Sequence, residues 1–170
     1  MNELQIRMAR ADDITGMCAL IFEHGENPWN HLPRAEVTAH LQNISDSSVE
    51  AVLAERAGEL LGFVSFQVTR YFAGYQAAER SEWVQGYICE AVIRREMAGQ
   101  GLGSRLLGKA VARLAELGVV DIYIDRHEEN AASAGMMRKA GFVEIETYED
   151  PERRPNGSRR TTLCYLRLTE

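Results

Sequence analysis

Three glycines fall within five residues at Gly99-Gln100-Gly101-Leu102-Gly103, directly before a leucine-rich stretch. Glycines at the start of a helix let successive backbone N–H groups face outward, and the helix dipole adds positive character there. Such a loop can hold a pyrophosphate. Arg105 and Lys109 add cationic reach. The competing reading is a tight strand-to-helix connection and nothing more. Two other phosphate-binding patterns fit poorly. A dinucleotide fingerprint needs GxGxxG after the first strand and an acidic residue about twenty positions on, whereas this run lies late in the chain. The pattern GxxxxGK[ST] is approached from Gly103 to Lys109, but Ala110 replaces the hydroxyl that would bind magnesium.

Glu90 is the second chemical candidate, a carboxylate inside the otherwise apolar run YICEAVI. Partly buried, it would bind an amine and act as its general base. The plainer reading turns it to solvent or pairs it with an arginine. Strict strand alternation sends its neighbour Cys89 to the opposite face, as a small buried hydrophobe.

Alternating strand and helix signals surround these residues. LQIRMA (4–9) reads as a strand, and Asp12 or Asp13 can cap a helix running to about Glu23. Residues 24–33 form a Gly/Pro loop, and Pro33 opens a second helix with Val37, Leu41 and Ile44 on one face. VEAVLAE and LLGFVSFQV flank RAGE as a hairpin, and residues 70–82 lead into a long strand, WVQGYICEAVI. A helix with Leu102, Leu106, Ala110, Leu114 and Leu117 at helical spacing follows the glycines. Then come the strand VVDIYID, the helix ENAASAGMMRKA, the strand GFVEIETY, the charged loop DPERRPNGS and the strand TTLCYLRL. The expectation is one mixed α/β domain over 1–170.

Two stretches carry a family resemblance. AVIRREMAGQGLGSRLL, followed by ENAASAGMMRKAGF, resembles the two central motifs of the GNAT family of N-acetyltransferases. Ala91 and Ile93 fill the first motif's apolar pair, and Gly99, Gly101 and Gly103 its glycines; Asn130, Ser133, Met136, Lys139, Gly141 and Phe142 match the second. The resemblance implies an α+β fold whose mixed, mostly antiparallel sheet splays between its fourth and fifth strands, flanked by helices. It implies acetyl-CoA as co-substrate and no metal. The backbone of Ala91, Val92 and Ile93 would bind the pantetheine arm. The loop formed by Gly99, Gln100, Gly101, Leu102, Gly103 and Ser104 would hold the pyrophosphate, and Asn130 would join the cofactor site. An amine then attacks the thioester directly, with Glu90 as general base.

Two positions depart from the family pattern. Ala98 stands where Gln or Arg is usual, and Met137 where a tyrosine commonly serves as general acid. Tyr165 and Tyr148 are the candidate substitutes. The layout also resembles aminoglycoside 6′-N-acetyltransferases, which implies Trp29, Tyr71, Asp125 and Glu146 around a cationic acceptor, with Glu90 one place beyond that group's strand acid. That shift reverses the face of Glu90 unless a bulge intervenes.

Composition bounds the rest. The 170 residues are 45% hydrophobic and 26% charged, enough for a buried core. A net charge of −6 disfavours nucleic acid as a partner and favours cations. No apolar run spans a membrane and no signal-peptide pattern opens the chain. Three scattered cysteines without metal-ligand spacing point to a reducing, cytoplasmic setting. The expectation is an acetyltransferase for a small cationic amine, free to form a homodimer. The alternatives are acetylation of a protein N-terminus or lysine, and a non-catalytic acetyl-CoA-binding module.

Overall fold

A seven-stranded sheet in the order β1-β2-β3-β4-β5-β7-β6 organises the computed structural model, which describes residues 3–169. Along the chain run β1 (Gln5–Met8), α1 (Ile14–His24), α2 (Arg34–Gln42), β2 (Glu50–Arg56), β3 (Glu59–Thr69) and β4 (Gln85–Ile93). They are followed by α3 (Leu102–Glu116), β5 (Asp121–His127), α4 (Ala131–Lys139), β6 (Val143–Glu149) and β7 (Arg160–Arg167). Every neighbouring pair is antiparallel except β4 and β5. This is the expected α+β arrangement.

Both faces of the sheet are covered. Alternate residues of β2 and β3 explain how, because successive side chains point to opposite sides. Leu53 and Phe63 pack with Ile14, Met17, Ile21 and Leu41 of α1 and α2. Val52, Val64 and Phe66 pack on the other side with Leu102, Leu106 and Leu114 of α3 and with Met137 of α4. The central strands therefore read as nearly continuous apolar runs, which is what burial on both faces requires.

β4 and β5 pair only over Gly86–Ile88 and Ile122–Ile124. Beyond that point they part, and the splay opens where the sequence placed it. On its other side β4 follows β3, but with one irregularity. Ser65 faces Glu90 and Phe66 faces Ile88, so Cys89 is an extra residue. A bulge of this kind resets which face each later side chain meets.

Some local expectations change. Neither Asp12 nor Asp13 caps α1 with its side chain; Asp13 instead accepts from the Arg10 amide at 2.7 Å and pairs with Arg7 at 2.8 Å. Trp83 and Val84 precede β4 and lie exposed, and Leu117 sits just past α3, 40% exposed. The stretch between β3 and β4 is anchored rather than loose. Phe72 stacks on Tyr123 at 4.4 Å, and Arg80 meets the fully buried Asp121 at 3.0 Å. Gln76 and Tyr165 also donate to that carboxylate.

Candidate functional site

The splay forms the wall of a cavity of about 340 Å³, roofed by the segment between α1 and α2 and closed by α4 and the β6–β7 loop. Its base is Glu90. Because of the bulge, Glu90 shares a face with Ser65, on the α2 side of the sheet. Ser65 accepts the Glu90 amide proton at 3.1 Å and lies 2.9 Å from His40 Nε2. Burial holds the His40 ring below its ordinary pKa, so it is neutral and can accept the serine proton. Burial also pushes the Glu90 carboxyl up to about 7; the Asp125 carboxylate adds to the rise, and Arg154 and Arg153 restrain it. A carboxyl poised there is suited to taking a proton near neutral pH.

Cys89 does not turn away from Glu90. Both line the same cavity, because the bulge breaks the alternation on which the opposite-face expectation rested. Burial raises the Cys89 thiol far above its ordinary value, which leaves it protonated and a poor nucleophile.

The glycine loop fits a pyrophosphate. Gly99 and Gly101 hold φ near 80°, a conformation costly for any residue with a Cβ. A Cβ at either position would project into open space, so its absence leaves an uncovered cradle. Gly101 forms the N-cap of the fifteen-residue α3, and no side chain caps it. The first amides of α3, from Leu102, Gly103 and Ser104, therefore remain for a ligand. The Leu102 side chain itself is buried in the core, so its contribution there is backbone only. The strand residues divide similarly: Ala91 lines the cavity, whereas Val92 packs into the core beneath α1 and α2. Ile93 packs against the core on the α3 side. Gln100 is exposed in the loop. Asn130 lines the cavity and also caps α4, accepting from the Ser133 amide at 3.2 Å.

The expected acceptor residues do not assemble. Trp29 packs on His127 at 4.6 Å, Tyr71 is 73% exposed, and Glu146 on β6 accepts the Tyr75 hydroxyl; none of them lines the cavity. Asp125 does line it, but as a neutralised group. Arg153 Nη2 donates to both of its oxygens at 3.1 and 3.0 Å, Arg154 Nη2 stands 3.5 Å away, and the Tyr87 hydroxyl donates at 3.1 Å. The carboxylate is thus bound to cations of this chain rather than free for one from outside. Tyr165 and Tyr148 do not line the cavity either, and Tyr165 spends its hydroxyl on Asp121.

Among the residues that escaped the sequence reading, His40, Tyr87, Arg126, Arg153 and Arg154 all line the cavity. The adjacent arginines within DPERRPNGS were the visible signal, since two cations in the loop that joins the edge strand β6 to β7 can be carried over the sheet's end. Met137, 4% exposed, presents a thioether to the cavity and has no proton to give. Among the described residues no group of His, Cys, Asp and Glu could hold a metal ion, and no helix is long and apolar enough to cross a membrane.

Comparison with known proteins identifies the family. Residues 14–142 match the model of the acetyltransferase (GNAT) family. Over 146 residues the chain is 30% identical to an L-methionine sulfoximine/L-methionine sulfone acetyltransferase from Pseudomonas aeruginosa, covering 81% of this chain and 78% of that one. A Bacillus subtilis acetyltransferase solved in complex with CoA superposes with a TM-score of 0.71 at 17% identity, over 98% of this chain and all of the other. A Salmonella typhimurium protein solved with its cofactor acetyl-CoA gives 0.74 at 17% identity, over 99% and 95% of the two chains. The chain belongs to the GNAT acetyltransferase family, as an N-acetyltransferase whose acetyl donor is acetyl-CoA.

Proposed function

We propose that the protein acetylates the primary amine of a small, amino-acid-like acceptor that carries a free carboxylate. One observation carries this reading: Arg153 and Arg154 reach the cavity beside Glu90, on the side where an acidic lining was expected. Arg154 spends Nε on Thr161 at 2.9 Å, which leaves other donors of its guanidinium for a ligand. A guanidinium binds a carboxylate through parallel hydrogen bonds, and such charge-assisted bonds are the strong ones. A polyamine or aminoglycoside would bring further positive charge against these two arginines. The relative from Pseudomonas, named for L-methionine sulfoximine and sulfone, acts on acceptors that combine an amine with a carboxylate.

The chemistry assigns a role to each group. Acetyl-CoA supplies an activated acyl group. The amides of 102–104 hold its diphosphate, and the free edge of β4 lies beside its arm. Arg154 orients the acceptor by its carboxylate. Glu90, ionised on the alkaline side of its raised pKa, takes the ammonium proton and frees the lone pair for attack. His40 and Ser65 fix the strand at that point.

Thiol release from acetyl-CoA across matched acceptors tests the reading. Free amino acids should be turned over, with methionine sulfone among them. The corresponding decarboxylated amines should lose roughly ten- to hundredfold in kcat/KM, the worth of one charge-assisted bond of about 1.5–3 kcal/mol. Arg154→Gln should raise KM about tenfold for the carboxylate acceptors and leave the decarboxylated ones unaffected. Faster turnover of polyamines, aminoglycosides or peptides than of any free amino acid would replace this reading with one of those classes.

A further inference from the structure

Arg126 of β5 is an unexplained charge. Its side chain is only 6% exposed, and Nη2 donates to Glu144 at 2.6 Å. Nε and Nη1 are buried and have no partner among the described residues. Glu144 is itself 65% exposed, so the pair is poorly shielded from water on one side and unsatisfied on the other. Burying a guanidinium with two idle donors is costly, and folded proteins rarely leave such donors unpaired unless a ligand meets them.

Its position narrows the ligand. Arg126 lines the main cavity, and with Met137 and Cys164 it also lines a smaller hollow behind α4. Along β5, Ile122 and Ile124 pack on the α3 and α4 side, and alternation puts Arg126 there with them. Asp125, Arg153 and Glu90 belong to the opposite face, where the acceptor's groups bind. The buried donors of Arg126 therefore lie on the side of the sheet that carries the cofactor loop, beside a methionine that cannot protonate anything. The diphosphate already has the amides of α3. The negative charge that the reaction itself creates on sulfur still needs a partner.

We propose that Arg126 stabilises the departing CoA thiolate through Nε and Nη1. In the transfer, Glu90 first passes the ammonium proton on to water; the free amine nitrogen then forms a bond to the acetyl carbon and loses its second proton to the regenerated Glu90 carboxylate. The carbon–sulfur bond breaks and its electron pair stays on sulfur. Arginine does not give up a proton at any working pH, so it holds the thiolate as a cation and donor, and the sulfur gains its proton from water afterwards. This explains how a site with a thioether at position 137 releases its leaving group. The inference rests on the acetyl-CoA chemistry and not on the choice of acceptor.

The groups that also bear on this sulfur site are Glu144 of β6, Arg138 of α4 and Cys164 of β7, which line the hollow with Arg126. All of them stay in place in the test. Calorimetric affinities are measured for CoA and for desulfo-CoA, which lacks the sulfur, from neutral to alkaline pH. For the native protein the preference for CoA should grow about tenfold as its thiol ionises, equivalent to a one-unit fall in thiol pKa on binding. In Arg126→Met and Arg126→Gln the preference should not grow. Both variants should lower kcat about a hundredfold, the loss typical of one donor to a developing anion. The measurement on the native protein needs no variant to fold. A preference that stays flat with pH in the native protein, or grows equally in both variants, overturns the proposal.

Discussion

The two ends of β5 carry the same ingredients and use them differently. At its start, Asp121 is fully buried and accepts from Arg80 at 3.0 Å, Gln76 at 2.7 Å and Tyr165, while Tyr123 donates to Gln76 at 2.6 Å. Burial alone would raise the Asp121 carboxyl, but the hydrogen bonds from Tyr165, Arg80 and Gln76 hold it below its ordinary value. Every polar group there has a partner. At the strand's other end Glu90 is held near neutrality, Asp125 is shared by two arginines, and Arg126 keeps two idle donors. A closed network rigidifies, whereas an open one costs stability and keeps its groups for a ligand. The strand is thus a structural anchor at one end and a reactive wall at the other.

The largest contrast should come from truncating each end. Asp121→Ala strands the Arg80 guanidinium, which is 7% exposed, and takes the acceptor from Gln76 and Tyr165. Its melting temperature should fall on the order of ten degrees, because removing one partner of a buried pair is far costlier than lacking the pair. Arg126→Met removes a half-paired charge and leaves Glu144 in water, so its melting temperature should be unchanged or slightly raised. Thermal melts of the two variants check this, and equal losses would erase the distinction between the ends.

Glu90→Gln comes next. A neutral amide cannot take the ammonium proton, so kcat should fall about a hundredfold. The acidic limb of the native pH–rate profile, set by a carboxyl raised to about 7, should disappear with it. The sign for stability is the reverse of an ordinary carboxylate. A group whose folded pKa is raised favours the fold while protonated; that stability is fully present below the ordinary carboxylate value and is lost as pH rises through about 7. Glu90→Gln should therefore melt a few degrees above the native protein at alkaline pH, with the gap closing in acid. A native profile that stays flat through pH 7, with kcat kept in the variant, would remove Glu90 from proton transfer.

How much of this was legible in the sequence follows from which interactions are local. The glycine cradle could be read because positive φ at Gly99 and Gly101 demands a residue type, and a carboxylate amid apolar neighbours marked Glu90. The face of Glu90 could not be read from alternation, since it depends on how β4 slips against β3 at Cys89. Tyr71 and Glu146 came from a subfamily layout, and the contacts that draw Glu146 to Tyr75 lie 71 positions apart in sequence. Arg153 was visible only as charge in a loop. Its meaning depends on Asp125, 28 positions earlier, meeting it across the end of the sheet.

The smallest effect separates the two ends most cleanly. Tyr165 and Tyr148 are the expected substitutes for the acid missing at Met137, and neither lines the cavity. Tyr165 instead donates to Asp121 and lies 3.5 Å from Arg80, inside the closed network. Tyr165→Phe removes one donor from a carboxylate that keeps two others, so it should cost about 1 kcal/mol, a shift of a few degrees. Its kcat and pH profile should match the native enzyme. If kcat fell tenfold or more with melting unchanged, protons would be passing through the anchor end of β5. The division between a satisfied structural end and an unsatisfied reactive one would then fail, because a group with all its partners would also be doing chemistry.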